Sequence, residues 1–192
     1  MDFGANLSII IPNYRERRLM EVYAYFRRFY PEAQIILADD LEGKGKGWAM
    51  REGLKQATGE LVCFLDGDMD IMPQEIKKLL RAVKNYDAVV GRRKYQASWP
   101  RKTLSWGYHI LIMFLFGLNL DTQSGLKLFR REVLPTWKTN SFAFDCEILA
   151  QMRQKGCLMR EAPIKSVIYQ SVSVRAVWKT FKETVKVWWR LK

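Results

Sequence analysis

The stretch LVCFLDGDMDIMP, from Leu61 to Pro73, combines an apolar strand pattern with three closely spaced carboxylates. Five mostly apolar residues lead directly into Asp66 and Asp68, and Asp70 follows two residues later. Residues two apart in an extended segment face the same way, so the three carboxylates are expected to point together. Oxygen ligands of this kind suit Mg²⁺ or Mn²⁺, which proteins share between one or two carboxylates and substrate phosphates. On its own, the stretch is also consistent with a solvated acidic turn after a strand.

The residues around this stretch predict strands and helices in alternation. Short apolar or β-branched runs predict strands, and apolar residues at helical spacing predict the helices between them. The predicted strands are 7–11, 34–38, 61–65 and 87–90, and the predicted helices are 17–30, 48–57 and 74–84. This alternation is typical of a doubly wound α/β domain with a mainly parallel sheet, in which the strand beginning at Leu7 is central.

Polar loops follow the predicted strands at one end of the sheet. Ligands of doubly wound sheets bind beyond the carboxyl ends of the strands, so these loops are expected to converge on one crevice. They are residues 12–16, 39–40, 66–70 and 92–94. The Gly/Lys loop 41–47, LEGKGKG, lets backbone approach a ligand, and Lys44 and Lys46 can meet phosphate oxygens. A flexible surface turn is the alternative for this loop.

Composition predicts one globular domain with an anionic partner. The chain has 192 residues, of which 48% are hydrophobic and 27% charged, with a net charge of +12. Such a charge favours nucleic acid, an anionic membrane or phosphorylated substrates, without choosing among them. The three cysteines lack metal-like spacing, and their odd number argues against a disulfide framework. Reduced core thiols in a cytoplasmic protein are therefore expected, and the N-terminus shows no signal-peptide pattern.

The second half of the chain predicts a membrane-facing surface. The apolar run 106–118 is too short to span a bilayer of about 30 Å, so it lies on a membrane or in the core. The tail 175–192, RAVWKTFKETVKVWWRLK, predicts a basic, tryptophan-rich amphipathic helix of the kind that binds membrane interfaces. The alternative is a helix docked on its own sheet. The other predicted elements are a loop and strand at 121–129, a helix at 144–155, an edge strand at 159–164 and an alternating strand at 167–174.

Several motifs in order resemble a known family. The segments SIIIPNYRE, ADD, GKGKGWAMREGLKQATGELVCFLDGDMD and the GRR strand end together resemble a family 2 glycosyltransferase of the GT-A fold. The R-x-x-x-S pattern from Arg101 to Ser105, the segment 121–127 and FAFDCEIL are similar to the polyprenyl-phosphate (dolichyl-phosphate) hexosyltransferase branch, which includes dolichol-phosphate mannosyltransferases. The resemblance implies one domain over residues 1–192, with a nucleotide-sugar half (1–97), an acceptor- and membrane-facing half (98–192) and C-terminal amphipathic interface helices.

The resemblance also implies a role for each matching residue. The donor would be bound by Pro12, Tyr14, Glu16, Asp39, Asp40, Lys46, Asp66, Gly67 and Asp68. The acceptor phosphate would be bound by Arg93, Arg101, Ser105 and Arg175, and the catalytic set would be Asp66, Asp68, Arg93 and Arg101. Mg²⁺ or Mn²⁺ would be held mainly by Asp68, with Asp66 and with Asp70, which stands where close relatives carry a glutamine. The chain departs from the family between Asp40 and the Gly/Lys loop, where a helix and a strand are missing.

The implied reaction is the inverting, metal-dependent transfer of a hexose from GDP-mannose or a UDP-hexose to a polyprenyl phosphate. The enzyme would be peripheral on the cytoplasmic face of a membrane. A glycan or other hydroxyl acceptor is the alternative, and it would need a general base, for which Asp145 is the candidate. A nucleic-acid-binding module is disfavoured because the acidic strand ends would repel a phosphate backbone. An inactive membrane-binding relative is disfavoured by the three intact aspartates.

Overall fold

A six-stranded sheet carries the site and is flanked by helices on both faces. The computed structural model describes residues 6–13, 18–94, 99–166 and 174–192, and only the backbone of residues 94, 99–105 and 174–177. The strands are β1 (Leu7–Asn13), β2 (Gln34–Asp39), β3 (Leu61–Leu65), β4 (Ala88–Lys94), β5 (Leu126–Arg130) and β6 (Met159–Lys165). The α-helices are α1 (Leu19–Phe29), α2 (Lys46–Gln56), α3 (Ile76–Ala82), α4 (Trp99–Phe116), α5 (Phe144–Gln154) and α6 (Val174–Leu191).

The strands lie in the order β2-β1-β3-β5-β4-β6. Strand β1 is parallel to β2 and β3, and β4 is parallel to β6, whereas β5 is antiparallel to both of its neighbours. The predicted mainly parallel α/β sheet is therefore confirmed, with one reversed strand. The carboxyl ends of β1, β2, β3 and β4 meet at one edge, as predicted. The prediction that β1 is central needs correction, because β3 and β5 occupy the middle of the sheet.

Both faces of the sheet are buried, which explains why the inner strands are continuously apolar. In β1, Ile9 and Ile11 pack on one side with Phe26 of α1, while Ile10 packs on the other side. All five residues of β3 are buried. Helices α1 and α3 cover the first face, and α2 and α5 cover the second, where Met50 lies with Phe64 and Ile148. Because helices pack on both faces of the sheet, the ends of its strands are held in fixed positions.

Most predicted elements agree with the structure, and the differences lie at their ends. Helix α2 begins two residues before its predicted start, so Lys46 belongs to the helix rather than to the preceding loop. Strand β4 continues to Lys94, beyond its predicted end. The predicted strand 167–174 falls almost wholly outside the described residues, and its last residue, Val174, is helical because it begins α6.

Helices α4 and α6 each bury one face and expose another. In α4, Ile112 is buried, but Trp106 and Phe114 are 68% and 84% exposed. In α6, Thr184 and Val187 are buried against the protein, while Trp178 and Trp189 face outward. The tail was predicted to bind a membrane interface or to dock on its own sheet. One face of α6 is docked on the protein, and the opposite face is exposed. Among the helices of the described residues, none combines the length and apolarity needed to cross a membrane.

Candidate active site

The carboxylates after β3 line a small cleft at the edge of the sheet. The Asp66 N–H donates to the carbonyl oxygen of Gly125 at 3.0 Å, so the start of β5 fixes the end of β3. The Asp70 N–H donates to Asp68 Oδ1 at 2.9 Å, and Met69 between them has a φ of 65°. The cleft has a volume of about 60 Å³. Its lining residues are Asp66, Asp68, Asp70, Ile71, Arg93, Gln123, Gly125 and Ser166.

The electrostatics of this cleft fit a cation. Burial, together with the neighbouring carboxylates of Asp66 and Asp70, raises the pKa of Asp68 to about 6. The Lys46 ammonium opposes this rise in pKa without cancelling it, so the cleft disfavours further negative charge. Within the described parts of the chain, no three acidic, histidine or cysteine side chains converge on one ion-sized position. One or two of the aspartates could still share a cation with water and substrate phosphate, which is how proteins commonly hold Mg²⁺.

Two ion pairs lie behind the cleft. The Lys46 ammonium is 2.5 Å from Asp66 Oδ1, and the Lys127 ammonium is 2.7 Å from Asp145 Oδ1. Burial alone would lower the pKa of Lys46, but the carboxylates of Asp66 and Asp145 outweigh it and raise the pKa, so Lys46 is a cation. Burial raises the pKa of Asp145, and the Lys127 ammonium opposes that rise. Lys127 and Asp145 are both almost fully buried, so removing one partner alone would leave the other without its buried counter-ion.

Arg93, at the end of β4, stands between this cleft and a larger cavity. Its Nε and Nη2 donate to the two carboxylate oxygens of Asp121, both at 2.8 Å. The Asp121 N–H in turn donates to Glu161 on β6 at 2.6 Å. The larger cavity has a volume of about 520 Å³ and is lined by Arg92, Arg93, Glu161 and Pro163. A guanidinium held in this bidentate way presents a fixed cation at the junction of two cavities.

Comparisons with known proteins show the family to which the chain belongs. The family model described as "Glycosyl transferase family 2" matches residues 41–139, which is just over half of the chain and includes Lys46, the three aspartates of the cleft, Arg93 and Asp121. The chain belongs to glycosyl transferase family 2. A dolichyl-phosphate beta-glucosyltransferase of Trichomonas vaginalis is 31% identical to this family 2 member over 174 residues, covering 82% of this chain and 53% of that protein. An undecaprenyl-phosphate mannosyltransferase of Micrococcus luteus is 26% identical over 200 residues, covering 82% of each.

The solved structures support the fold of this family 2 member. Glucosyl-3-phosphoglycerate synthase from Mycobacterium tuberculosis, in complex with Mn²⁺, UDP and phosphoglyceric acid, matches with a TM-score of 0.72. Its sequence identity is 14%, and the match covers 96% of this chain and 77% of that one. The expected GT-A fold is thereby confirmed. The chain spans about half the length of the dolichyl-phosphate beta-glucosyltransferases that it matches.

The structure brings together part of the predicted donor site. Pro12 and Asp39 lie in adjacent strand ends, and Asn13 Nδ2 donates to Asp39 Oδ1 at 2.6 Å. Asp40 is buried, and its two oxygens accept the N–H groups of Lys44 and Gly45, each at 2.7 Å. Asp40 therefore holds the Gly/Lys loop. Tyr14 and Glu16 lie outside the described residues. Of the residues predicted to bind the acceptor phosphate, Arg101 and Ser105 are on α4 and Arg175 is on α6, where the structure describes the backbone alone.

Several residues in or near the site were not predicted from the sequence. Ser166 lines the aspartate cleft, and its Oγ is a buried side-chain oxygen with no hydrogen-bond partner among the described residues. Neither Ser166 nor Gln123 stands in a pattern that would mark it. Asp121 was part of a recognised motif, but its pairing with Arg93 joins distant parts of the chain. For Glu147 a signal existed, since it lies three residues after Phe144 on the predicted buried face of α5.

Proposed function

We propose that the chain catalyses the inverting, metal-dependent transfer of a hexose from a nucleotide sugar to a polyprenyl phosphate at the cytoplasmic surface of a membrane. The observation that carries the proposal is the position of Arg93. It lines both the aspartate cleft and the larger cavity, so one fixed cation serves a donor diphosphate on one side and an acceptor phosphate on the other. The named activities of the dolichyl-phosphate and undecaprenyl-phosphate relatives support the same acceptor class.

On the donor side, the leaving diphosphate gathers negative charge as the bond to the sugar breaks. Asp68, with Asp66 and Asp70, would hold Mg²⁺ or Mn²⁺, which offsets that charge when bound. The Lys46 ammonium adds a fixed positive charge at the same place because the Asp66 pair holds it there. Asp39, at the end of β2, and Pro12, at the end of the neighbouring β1, would meet the nucleoside. Donor specificity is proposed as GDP-mannose or a UDP-hexose.

On the acceptor side, a phosphate oxygen attacks the anomeric carbon of the hexose from the face opposite the diphosphate. The new carbon–oxygen bond forms as the bond to the diphosphate breaks, and the nucleoside diphosphate leaves. The attacking phosphate is already an anion near neutral pH, so this step needs no general base. Arg93, with Arg101, Ser105 and Arg175, would screen the repulsion between the two phosphates and aim the attacking oxygen. The burial of Asp145 in its ion pair is consistent with a reaction that does not use it as a base.

The proposal is tested by following radiolabelled sugar from a panel of nucleotide sugars into polyprenyl phosphate, with Mg²⁺ or Mn²⁺ and with a chelator. We expect metal-dependent label in the lipid fraction from one nucleotide sugar above the others. Transfer to a glycan acceptor, with none to the lipid, would refute the acceptor class. If the chelator leaves sugar transfer unchanged, the proposed metal dependence is refuted.

Replacing Arg93 with glutamine is expected to raise the KM for the acceptor lipid about tenfold or more, because a charge-assisted contact to phosphate is lost. The dissociation constant for the nucleoside diphosphate should change less than the acceptor KM. Steady-state kinetics with varied lipid, together with calorimetric titration of the nucleotide, separates the two. Arg92→Gln is the comparison, since Arg92 is 69% exposed and lines the larger cavity without lining the cleft; its effect should be smaller. Equal effects of the two variants would contradict the assignment of Arg93.

The exposed aromatic face of α6 is expected to bind the membrane surface. Trp178 and Trp189 are 60% and 69% exposed, and lysines of the same helix flank them. Aromatic rings beside cations are typical of interfacial helices. Replacing both tryptophans with serine should weaken co-sedimentation with anionic phospholipid vesicles about tenfold. Phe29→Ser on α1 is the control, because Phe29 is also exposed but lies elsewhere on the protein. Unchanged sedimentation of the double variant would exclude α6 as the membrane contact.

A further inference from the structure

The segment from Trp137 to Asn140, which we call the bracket segment, is bonded to the first turn of α2. The Asn140 carbonyl oxygen accepts the N–H groups of Gly47 at 2.7 Å and Trp48 at 3.4 Å. The indole Nε1 of Trp137 donates to the Gly47 carbonyl oxygen at 2.8 Å. The Asn140 carbonyl thus supplies an acceptor for the Gly47 N–H, which lies in the first turn of α2, where N–H groups lack partners within the helix. The bracket segment therefore sets where α2 begins, and α2 begins with Lys46.

The bracket segment and the Gly/Lys loop touch backbone to backbone. A Cβ atom on Gly45 would lie 2.5 Å from the Asn140 carbonyl oxygen. A Cβ atom on Gly47 would likewise clash with the carbonyl oxygen of Thr139. No side chain separates the two segments, so a shift of one must move the other. On its opposite side the loop is held by the Asp40 carboxylate. Lys46 thus depends on two supports, one local and one from a distant part of the chain.

The distant support is anchored by a buried carboxylate. Glu147 of α5 is 2% exposed, and its oxygens accept the N–H groups of Lys138 at 3.1 Å and Thr139 at 2.9 Å. Arg190 of α6 compensates its charge, because Nη2 of Arg190 donates to Glu147 Oε2 at 2.9 Å. The same nitrogen donates to the Thr139 hydroxyl at 2.7 Å. One guanidinium nitrogen therefore joins the last helix to both the anchor and the bracket segment.

We propose that Arg190, acting through Glu147 and the bracket segment, is a positioning residue for Lys46 and so for the donor diphosphate. This inference rests on the proposed function, because Lys46 matters here as a donor-binding cation. Arg190 itself contacts neither the aspartate cleft nor Lys46. The helix that carries Arg190 also presents Trp178 and Trp189 outward. The geometry thus connects the proposed membrane-binding helix to the donor side of the crevice.

A double-mutant cycle on the full chain tests this inference. The dissociation constants of UDP and GDP, in the presence of Mn²⁺, are measured calorimetrically for the wild type, Arg190→Gln, Lys46→Met and the double variant. We expect Arg190→Gln to weaken nucleotide binding roughly threefold to tenfold. In the Lys46→Met background the same substitution should have almost no further effect, because its route to the nucleotide is gone. If the dissociation constant of the double variant rises by the product of the two single-variant factors, the inference is overturned.

Two further variants separate positioning from a general loss of packing. Arg190→Lys keeps one nitrogen that can donate to both Glu147 and Thr139, so it should restore most of the affinity. Gln154→Ala removes a hydrogen bond of 3.2 Å that also joins α5 to α6 but does not touch the bracket segment, and it should leave nucleotide binding unchanged. An equal loss in Gln154→Ala would overturn the inference.

A variant that does not fold and a wild type that does not bind nucleotide have different consequences for the inference. If Arg190→Gln does not fold, Thr139→Val removes one Arg190 contact without removing the charge, and it takes the place of Arg190→Gln in the cycle with the same expectation. A wild-type chain that binds neither nucleotide would refute the proposed function, and this inference with it. Normal wild-type binding with an uncoupled cycle would refute the inference alone.

Discussion

Replacing Asp68 with asparagine is expected to lower kcat at least about a thousandfold without weakening the fold. The substitution removes the carboxylate that we propose holds a divalent cation, and a metal ion that stabilises the leaving diphosphate is worth several kcal/mol. Stability should be preserved or raised, because the charge removed is partly buried beside Asp66 and its pKa is already raised to about 6. The asparagine oxygen can still accept the Asp70 N–H. Activity and stability should therefore respond in different directions.

Sugar transfer to lipid and thermal unfolding, with and without Mn²⁺ and UDP, measure both effects. The wild type should gain thermal stability when metal and nucleotide are added together, because ligands that bind the native state stabilise it. Asp68→Asn should lose most of that gain. Glu52→Gln, on the exposed surface of α2 where Glu52 pairs with Lys55, should behave as the wild type. A fully active Asp68→Asn would show that the aspartate cleft is not the catalytic metal site.

Removing either partner of the Lys127–Asp145 pair is expected to lower the free energy of unfolding by about 3–5 kcal/mol. The pair lies in the interior at 2.7 Å, and the side chains of Lys127 and Asp145 are 2% and 8% exposed. Loss of one partner leaves the other charge buried without compensation. Chemical denaturation of Lys127→Met and of Asp145→Ala measures the cost. Replacing both residues with apolar side chains should recover part of the loss, because no unpaired charge remains.

This experiment also bears on the identity of the acceptor. A general base must reach the proton that it removes, and the Asp145 carboxylate is instead engaged by Lys127. If Asp145 served as a base for a hydroxyl acceptor, Asp145→Asn would keep nearly normal stability and lose turnover selectively. We expect instead that Asp145→Asn lowers the free energy of unfolding more than it lowers turnover. A stable but inactive Asp145→Asn would favour the glycan acceptor over the lipid phosphate.

The local part of the fold was predictable from the sequence. Apolar runs and helical spacing are short-range signals, so they placed β1 to β3, α1 and α5 within a few residues of their observed ends. The rule that ligands bind at the carboxyl ends of parallel strands then brought Asp66, Asp68, Asp70 and Arg93 to one edge, and the structure places all four around one cleft. These predictions succeeded because each depends on period and chain order alone.

The long-range partners of the site were not predictable in the same way. Nothing in the run from Leu126 to Arg130 indicates that β5 enters the sheet in reverse between β3 and β4. The pairing of Arg190 with Glu147 joins residues 43 positions apart, and no spacing rule connects them. Glu147 lies on the buried face of α5, where a charge is unusual, but its partners depend on how helices and loops pack. Packing of this kind is a property of the assembled chain.

The reversed strand β5 has a consequence for the order in which the protein can fold during synthesis. Strands β2 and β3 can pair as soon as they leave the ribosome, because their shared parallel neighbour β1 precedes both of them in the chain. Strand β4 has its neighbours β5 and β6 in later sequence, so it waits as an unpaired edge, which is prone to aggregation. Closing the pair Leu61↔Arg130 spans a long stretch of chain and slows the step further. The sheet formed by β1 to β4 therefore depends on the later strand β5 for its completion, since β5 joins β3 to β4.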